Sequence, residues 1–350
     1  MDRKLKVGII GMGRMGITHF SIINSHPDVE ITSISDSSKM LLSLFSKYLP
    51  QVQVFQDYRE QLEKSPLDAI LICTPPTLHY DLCKFAFEKR LHDFCEKPFT
   101  SNPAQANELA KLFEGSGLVN QVGYVNRFNN VFRKARQLVK DGVVGPIIRF
   151  RSEMFSATVV KPSEGKGWRG SRESGGGVTY EMASHAIDLI NYIYGAPTGI
   201  IGSVMDQVFS KSVEDIVSST FTYGGGGATG MLYVNWCDTS YRKPANKLEF
   251  VGANGKVMAD QYTLRIYLNQ AAPKENLAKG WNNIHITDVA EPVPFYVRGN
   301  EFTCQLYAFA DQALGKTAAN LGCTFREGAA VQDQIAKIFA DAKKNKEENR

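Results

Sequence analysis

The sequence predicts an α/β protein of two domains, with a doubly wound parallel sheet in residues 1–123 and an α+β domain in residues 124–350. In the first part, short apolar runs alternate with helical periodicities, as strands and helices do in a parallel sheet. In the second part, long β-rich runs follow one another, which indicates a largely antiparallel sheet with a helix on one face. A chain of 350 residues also exceeds what one ordinary core supports.

The apolar runs of the first domain are short and bounded by glycine and proline. Ala69–Cys73 is apolar throughout, as expected of a strand that is buried on both faces. It ends at Thr74-Pro75-Pro76, where two prolines prevent a strand or helix from continuing. The predicted strands are Lys6–Ile10, Val29–Ser35, Val52–Phe55, Ala69–Cys73, His92–Cys95 and Val119–Val122, and the predicted helices are Gly13–Ser25, Ser38–Leu49, Tyr58–Lys64, Leu78–Lys89 and Pro103–Glu114.

The second domain carries longer β-rich runs and one long helical pattern, Val178–Tyr194. Gly224–Gly227 lies between two strand patterns and predicts a hairpin turn rather than a phosphate loop, since no helical pattern follows it. The other predicted helices are Phe128–Lys140, Glu301–Leu314 and Arg326–Lys344. The predicted strands are Ile147–Phe155, Ile200–Phe209, Ile216–Tyr223, Thr229–Asn235, Lys247–Val251, Lys256–Asp260 and Leu264–Leu268.

Composition and charge exclude several classes of function. The formal net charge is +4 and the cationic residues are spread along the chain, so neither a nucleic acid nor an anionic membrane is indicated as a partner. No apolar stretch approaches the ~18 residues that span a bilayer, and the first residues show no signal-peptide pattern. The six cysteines are scattered without a CxxC pair, as in proteins of a reducing compartment. We therefore expect a soluble cytoplasmic protein.

Gly11-Met12-Gly13-Arg14-Met15-Gly16 lies where an apolar strand ends and an amphipathic helix begins. Gly11 permits a tight turn, Gly13 lets the backbone approach a pyrophosphate, and Gly16 lets helix and strand pack closely. The phosphate charge would then face the unpaired N–H groups at the positive end of the helix dipole. In this context the motif predicts a Rossmann dinucleotide-binding domain.

Asp36 lies twenty residues after Gly16, at the end of the second predicted strand. A carboxylate there can accept a hydrogen bond from the ribose 2′-hydroxyl and would repel a 2′-phosphate. The sequence therefore favours NAD over NADP. The alternative stays open, because Ser37, Ser38 and Lys39 could hold a phosphate if Asp36 turned away.

Glu96-Lys97-Pro98 directly follows the predicted strand that ends at Cys95, where ligands of an open α/β sheet bind. A partly desolvated lysine beside a carboxylate can donate a hydrogen bond to a substrate oxygen and transfer its proton. Lys97 is therefore a candidate catalytic residue. The alternative is a solvated loop lysine.

Gly175-Gly176-Gly177 leads into the long helical pattern of the second domain. On an α-helix, one polar stripe would lie apart from the apolar face that packs on the sheet. Such a stripe lines a ligand cleft or faces solvent, and periodicity leaves both interpretations open. A His/Glu pair four residues apart could also ligate a metal, but no third ligand lies at a credible spacing, so no metal is predicted. The stripe consists of Glu181, His185, Asp188 and Tyr192.

Four features, in this order, resemble the Gfo/Idh/MocA family of NAD(P)-dependent sugar and cyclitol oxidoreductases over nearly the full length of the chain. The Gly123–Phe128 segment and Trp168-Arg169 are similar to the same family. The four features are the Gly11–Gly16 turn, Thr74-Pro75-Pro76 with His79, Glu96-Lys97-Pro98, and the glycine-led helix with His185 and Asp188.

The resemblance implies hydride transfer between NAD(H) and a carbinol or ketone carbon of a sugar, cyclitol or nucleotide-sugar. It implies that Lys97 and His185 handle the proton, and histidine suits this role because it titrates near neutral pH. Glu181 stands where most of the family has aspartate, and Ala183 where it has glycine, so Glu181 could orient His185 or reach the substrate. The resemblance also implies a large open sheet in the second domain, with an outer face commonly buried in a homo-oligomer, a dimer or a tetramer.

Other activities are compatible with the same features, and further residues are expected at the cofactor and substrate sites. An NADP-linked reductase, or a lyase or hydrolase that recycles bound NAD, would use the same fold, and a cofactor-bound sensor without turnover is the alternative of a different class. The expected cofactor-binding residues are Gly11, Met12, Gly13, Arg14, Met15, Gly16, Asp36, Ser37, Thr74, Pro75, Pro76, His79, Glu96 and Lys97. The expected substrate-binding residues are Tyr124, Asn126, Arg127, Trp168, Arg169, Tyr180 and Asp188, with Phe155 and Tyr241 as further ring-stacking or hydroxyl-binding types.

Overall fold

A computed structural model describes residues 4–162 and 167–348 of the chain. The strands of the first sheet are Leu5–Ile10 (β1), Val29–Ser35 (β2), Gln53–Phe55 (β3), Ala69–Ile72 (β4), His92–Cys95 (β5) and Asn120–Val122 (β6). They lie in the order β3-β2-β1-β4-β5-β6, and their pairings are parallel. The order reverses between β1 and β4, and ligands of open α/β sheets bind outside the carboxyl ends of strands at such a point. The predicted doubly wound sheet is confirmed.

The helices that alternate with these strands begin where the sequence provides caps. Ser38, Asp57 and Asn102 each accept a hydrogen bond from a main-chain N–H at a helix start. Pro103 follows Asn102 at the first helical position, as predicted. The helices are Arg14–Ile23 (α1), Lys39–Tyr48 (α2), Tyr58–Lys64 (α3), His79–Glu88 (α4) and Pro103–Phe113 (α5).

The second sheet has eight strands in the order β14-β13-β12-β11-β7-β10-β9-β8, where the labels follow the chain. β7 and β10 pair in parallel, and the other neighbours pair antiparallel, which confirms the mainly antiparallel prediction. Gly224–Gly227 joins the antiparallel neighbours β9 and β10, so the predicted hairpin is confirmed. The strands are Ile147–Phe155 (β7), Gly199–Asp206 (β8), Ile216–Thr222 (β9), Thr229–Asn235 (β10), Ala245–Gly252 (β11), Gly255–Ala259 (β12), Thr263–Leu268 (β13) and Gly280–His285 (β14).

Two strands differ from their predictions for local reasons. β8 ends at Asp206 rather than at Phe209, because Oδ2 of Asp215 accepts hydrogen bonds from the main-chain N–H groups of residues 208–210 and turns the chain there. β14 is not predicted by its sequence, since Asn282 and Asn283 interrupt the apolar pattern. As an edge strand, β14 alternates half-buried and exposed residues.

The remaining helices include one irregular segment. The predicted helix Val178–Tyr194 is wrong as a single α-helix, because Thr179–Ala183 forms a π-helical turn before the α-helix resumes at Ser184. The other predicted helices lie within about two residues of their expected starts. The helices are Asn130–Lys140 (α6), Ser184–Ile193 (α7), Ile286–Val289 (α8), Asn300–Ala313 (α9) and Phe325–Glu348 (α10).

The chain divides into two units, and the first of them is discontinuous. It runs through Phe128 and takes in Pro292–Ala329, whereas the second comprises Asn129–Glu291 and the chain from Ala330 onward. The sequence predicts a single domain boundary at residue 123. In the structure, residues 292–329 belong to the first unit as well. The reason is that α9 places apolar side chains in the core that also contains β1 and α1. Periodicity identifies such a helix but not the sheet that it covers.

Candidate active site

The Gly11–Gly16 turn has the geometry that a dinucleotide requires. Gly11 has a φ of +89°, and a Cβ there would lie 2.9 Å from main-chain atoms of Cys73. A Cβ on Gly16 would overlap the carbonyl oxygen of Gly11, so this glycine allows α1 to approach the turn. A Cβ on Gly13 would meet nothing within 4 Å, so the main chain at Gly13 borders open space. These residues fit a pyrophosphate lying against the turn.

The start of α1 is suited to a negative charge. Gly13 is the N-cap residue, no side chain caps it, and the first turn contains no acidic residue. The N–H groups at a helix start and the helix dipole together attract anions. Arg14, the first helical residue, adds a positive charge beside them.

Asp36 is held in place by two main-chain N–H groups. Its Oδ2 accepts a hydrogen bond from Met12 at 2.7 Å, and its Oδ1 accepts one from Ser38 at 2.7 Å. The side chain therefore is not turned away from the glycine turn, which was the condition for the NADP alternative. Asp36 and Ser37 line a groove of about 820 Å³ together with Gly11, Gly13, residues 56–60 and residues 73–75. The groove lies at the carboxyl ends of β1, β2 and β4, as expected of a cofactor site.

His79 is not among the residues that line this groove. The residue is fully buried, its Nδ1 lies 2.9 Å from the carbonyl oxygen of Pro98, and its Nε2 lies 2.9 Å from that of Thr74. Burial opposes the charged form, but the neighbouring Cys95 and the carbonyl oxygens outweigh it and raise the pKa of His79 to about 9. A protonated His79 would donate to both carbonyl oxygens, and it ties the Thr74 loop to the turn after Lys97.

The Glu96-Lys97-Pro98 turn follows β5, and both oxygens of the Glu96 carboxylate have hydrogen-bond partners. Oε1 of Glu96 lies 2.6 Å from Nε2 of His19, and Oε2 accepts a hydrogen bond from the main-chain N–H of Lys97 at 3.0 Å. Burial would raise the pKa of Glu96, but the contact with His19 and the charge of Lys97 hold it below its usual range. The Lys97 side chain is half-buried, which agrees with a partly desolvated lysine.

In the second unit, a buried carboxylate fixes the start of the helix that carries His185. Glu214 accepts hydrogen bonds from the main-chain N–H of Thr179 and from Arg172, each at 3.1 Å. Gly177 has a φ of +100°, and a Cβ there would overlap the Glu214 carboxylate. Sequence reasoning missed Glu214, which lies 35 positions from Thr179 in the loop before β9. The glycine triplet was the only signal, since a glycine can mark a close approach.

The predicted polar stripe on this helix does not form as expected. The π-helical turn at Thr179–Ala183 changes the number of residues per turn, so a spacing based on an α-helix does not carry across it. Asp188 is fully buried, whereas His185 and Tyr192 are half-buried. Oε1 of Glu181 accepts a hydrogen bond from Nε of Arg169 at 3.0 Å. Single π-turns inside helices occur often at functional sites.

The other predicted substrate residues fall into two groups. Tyr124 and Arg127 are buried in the first unit, where Arg127 pairs with Glu327 at 2.7 Å, and Asn126 is half-buried beside them. Trp168 and Arg169 are accessible, and the Arg169 guanidinium lies 4.6 Å from the centre of the Trp168 ring. Tyr180 is nearly buried and packs on Phe339, while Phe155 and Tyr241 stack in parallel at 4.8 Å. Arg127 thus has a carboxylate partner within its own unit.

Two further observations concern residues 4–162 and 167–348. Within these ranges no helix is long and apolar enough to cross a membrane. No group of three or more histidine, cysteine, aspartate or glutamate side chains in the same ranges is arranged to hold a metal ion.

Comparisons with known proteins cover both units. The family model described as "Oxidoreductase family, NAD-binding Rossmann fold" matches residues 5–124, and the model of the GFO/IDH/MocA C-terminal domain matches residues 132–258. The oxidoreductase YrbE of Bacillus subtilis (strain 168), whose function is uncharacterized, is 29% identical over 66% of this chain, which spans 64% of YrbE and thus just under two thirds of its length. Myo-inositol 2-dehydrogenase of Thermotoga maritima is 24% identical over 73% of this chain and 75% of its own length.

Solved structures show the same fold. Levoglucosan dehydrogenase in complex with NADH and levoglucosan superposes with a TM-score of 0.86 and 18% identity, covering 98% of each chain.

Proposed function

Because the chain belongs to the Gfo/Idh/MocA family of oxidoreductases with an NAD-binding Rossmann fold, we propose that it transfers a hydride between NAD(H) and a carbinol or ketone carbon of a sugar, cyclitol or nucleotide-sugar. The observation that carries the proposal is the groove at the carboxyl ends of β1 and β4, with open space over Gly13 and an uncapped helix start behind it. Bound NAD supplies the hydride donor or acceptor, and the protein binds, orients and exchanges protons.

The residues of the first unit would hold the cofactor. The N–H groups at Gly13 and the start of α1 would bind the pyrophosphate, and Arg14 would add a positive charge. Asp36 would accept a hydrogen bond from the adenosine ribose, because each of its oxygens accepts a main-chain N–H and retains a lone pair. This arrangement supports NAD over NADP.

Lys97 and His185 would handle the hydroxyl proton of the substrate. Lys97 is half-buried and its main chain is fixed by Glu96, and His185 is half-buried on a helix whose start is fixed by Glu214. Proton transfer by side chains positioned in this way contributes ~100- to 10,000-fold to a rate. Glu181 would act through Arg169, with which it pairs, and would so place the neighbouring Trp168.

Each unit would then have its own task. The first would bind the dinucleotide, and the second would bind the substrate and mediate self-association. Arg169 is exposed, and Trp168 and Asn126 are half-buried, so we assign direct contacts to these members of the substrate set. Arg127, Tyr124 and Asp188 are buried, so they would support the residues of the site without contacting the substrate.

The decisive experiment is a substrate panel with two readouts. Native mass spectrometry of the purified protein identifies any retained cofactor, and NADH absorbance follows turnover with myo-inositol, levoglucosan, free sugars and nucleotide-sugars. A dehydrogenase produces NADH with at least one polyol. An enzyme that recycles its cofactor retains NAD and yields no net NADH, and a sensor binds NAD without turnover. Failure to bind any nicotinamide cofactor would overturn the proposal.

Asp36→Ser is expected to shift the preference between the cofactors. The substitution removes the carboxylate that would repel a 2′-phosphate and leaves Ser37, Ser38 and Lys39 beside it. We expect the ratio of kcat/KM for NAD to that for NADP to fall about 100-fold, which corresponds to about 2.7 kcal/mol. Steady-state kinetics with both cofactors measure it. An unchanged ratio would mean that Asp36 does not face the ribose.

The outer face of the eight-stranded sheet supports the proposed homo-oligomer. Met231 and Tyr267 are 44% and 37% exposed on strands whose opposite sides are buried, and Trp281 is 48% exposed on the edge strand β14. Large apolar side chains exposed on an open sheet are typical of subunit interfaces. Sedimentation analysis of the purified chain tests for the dimer or tetramer, and a monomer at micromolar concentration would contradict it.

We also propose a cytoplasmic location. Cys83, Cys95 and Cys323 are buried, as is common for small apolar side chains in a reducing compartment. Cell fractionation tests the location.

A further inference from the structure

A buried pair formed by His19 and Glu96 connects the helix of the glycine turn with the lysine turn. Nε2 of His19 lies 2.6 Å from Oε1 of Glu96, and the two side chains are 0% and 9% exposed. His19 lies on α1, three residues after Gly16, whereas Glu96 directly follows β5 and precedes Lys97. The two residues are 77 positions apart, so the contact joins distant segments.

The hydrogen-bond geometry favours one tautomer of the His19 ring. Nδ1 of His19 is buried without a hydrogen-bond partner among the described residues, so a proton there would be an unsatisfied buried donor. The neutral ring with its proton on Nε2 leaves only an acceptor unpaired at Nδ1, and it donates to Glu96. The ring is enclosed by Phe94 and Phe302, whose centroids lie 5.3 and 6.2 Å away. Glu96 then stays ionised in a buried position.

The second oxygen of Glu96 acts on the main chain. Oε2 accepts the N–H of Lys97, and the N–H of Glu96 donates to the carbonyl oxygen of Ile72 on β4. Gly123 makes room for the carboxylate, since a Cβ there would lie 3.1 to 3.2 Å from its atoms. The carboxylate is therefore clamped between a histidine of α1 and the peptide that starts the lysine turn.

We propose that His19 and Glu96 are a positioning pair, which fixes the main chain of Lys97 relative to the helix that would bind the pyrophosphate. The expected effect on catalysis rests on the proposed function. The expected effect on the main chain of Lys97 does not, because it concerns the protein without cofactor. Neither residue needs to touch the substrate. Seating of the cofactor on α1 and placement of Lys97 become coupled through a single hydrogen bond. A misplacement of about 1 Å can cost an enzyme roughly 100-fold in rate.

The charged and titratable groups around Glu96 determine how kcat/KM is expected to depend on pH. They come from α1 (His19), from the ends of β4 and β5 (Cys73 and Cys95), from the lysine turn (Lys97), and from Arg298. The contact with His19 is the largest influence that lowers the pKa of Glu96, and burial opposes it. Without His19, burial dominates and the carboxylate accepts a proton at higher pH. The acid limb of kcat/KM would then move towards neutral pH.

The test compares His19→Leu with His19→Gln, whose amide nitrogen can replace Nε2 of the ring, and with Glu96→Gln. Hydrogen exchange of the Lys97 amide in the cofactor-free protein measures directly how well the hydrogen bond from this amide to Glu96 is maintained. We expect it to become at least 10-fold faster in His19→Leu and Glu96→Gln and to stay within about 3-fold in His19→Gln. We expect kcat to fall 10- to 100-fold in His19→Leu, with the acid limb at higher pH, and to recover in His19→Gln.

His26→Leu is the matched control. His26 is also a buried histidine next to a carboxylate, 3.3 Å from Asp311, and lies just after α1. Its loss should lower thermal stability to a similar degree without changing the Lys97 amide or the pH profile. If His19→Leu does not fold, Glu96→Gln carries the test. Unchanged Lys97 exchange in both variants would overturn the inference. A wild type without turnover would instead contradict the proposed function and leave the exchange result valid.

Discussion

Lys97→Ala is expected to lower kcat about 1,000-fold while changing the Kd of NADH less than about 3-fold. The reason is that the ammonium group would donate to the reacting oxygen and exchange its proton, a contribution made mainly in the transition state. The main chain at residue 97 is held by Glu96, so truncation of the side chain leaves the turn in place. Steady-state kinetics and fluorescence titration of NADH measure the two quantities separately.

The controls for this prediction separate charge from position. Lys97→Arg keeps the charge but not the ability to exchange a proton near neutral pH, so it should stay within about 10-fold of Lys97→Ala. Lys111→Ala removes an exposed lysine from α5 and should leave kcat unchanged. A near-normal kcat in Lys97→Ala would refute the proton-handling role, whatever its effect on NADH affinity.

The local motifs of the first unit were predictable from sequence. The glycine turn, Asp36 and the Thr74 and Lys97 loops each depend on a few consecutive residues at the carboxyl end of a strand. A parallel sheet brings those ends to one edge, so their proximity follows once the strands are recognised. The family, the fold class and the NAD-binding class predicted from these residues are confirmed.

Contacts between distant segments were not predictable in the same way. His19 contacts Glu96 across 77 positions, and Glu214 contacts Thr179 across 35 positions. A histidine on the apolar side of α1 resembles any satisfied core histidine, and Glu214 precedes an ordinary strand. Both residues matter through partners that one sequence does not identify.

The π-turn at Thr179–Ala183 illustrates a different limit. A helical pattern specifies which residues are apolar, but it does not reveal one additional residue in a turn. That residue rotates everything after it, so Asp188 enters the core although an α-helix would have kept it in a stripe with Glu181.

Gly13→Ala is expected to weaken NADH binding without loss of stability, whereas Gly16→Ala is expected to lower stability, although the two glycines are three positions apart. Gly13 has a φ of −69°, which alanine adopts freely, and its new Cβ would enter open space. The fold should tolerate it, with the melting temperature within about 2 °C of the wild type. The methyl group would occupy the place of the pyrophosphate, so we expect the Kd of NADH to rise about 10- to 100-fold, as for one or two lost charge-assisted hydrogen bonds.

In Gly16→Ala the Cβ would overlap the carbonyl oxygen of Gly11, and α1 must move away from the turn. Overpacking of this kind costs about 1–3 kcal/mol or more, so the melting temperature should fall by several degrees. Calorimetry and NADH titration distinguish the variants, and Gly224→Ala, in an open hairpin of the second unit, should change neither quantity. If Gly13→Ala bound NADH normally, the phosphates would not lie over Gly13.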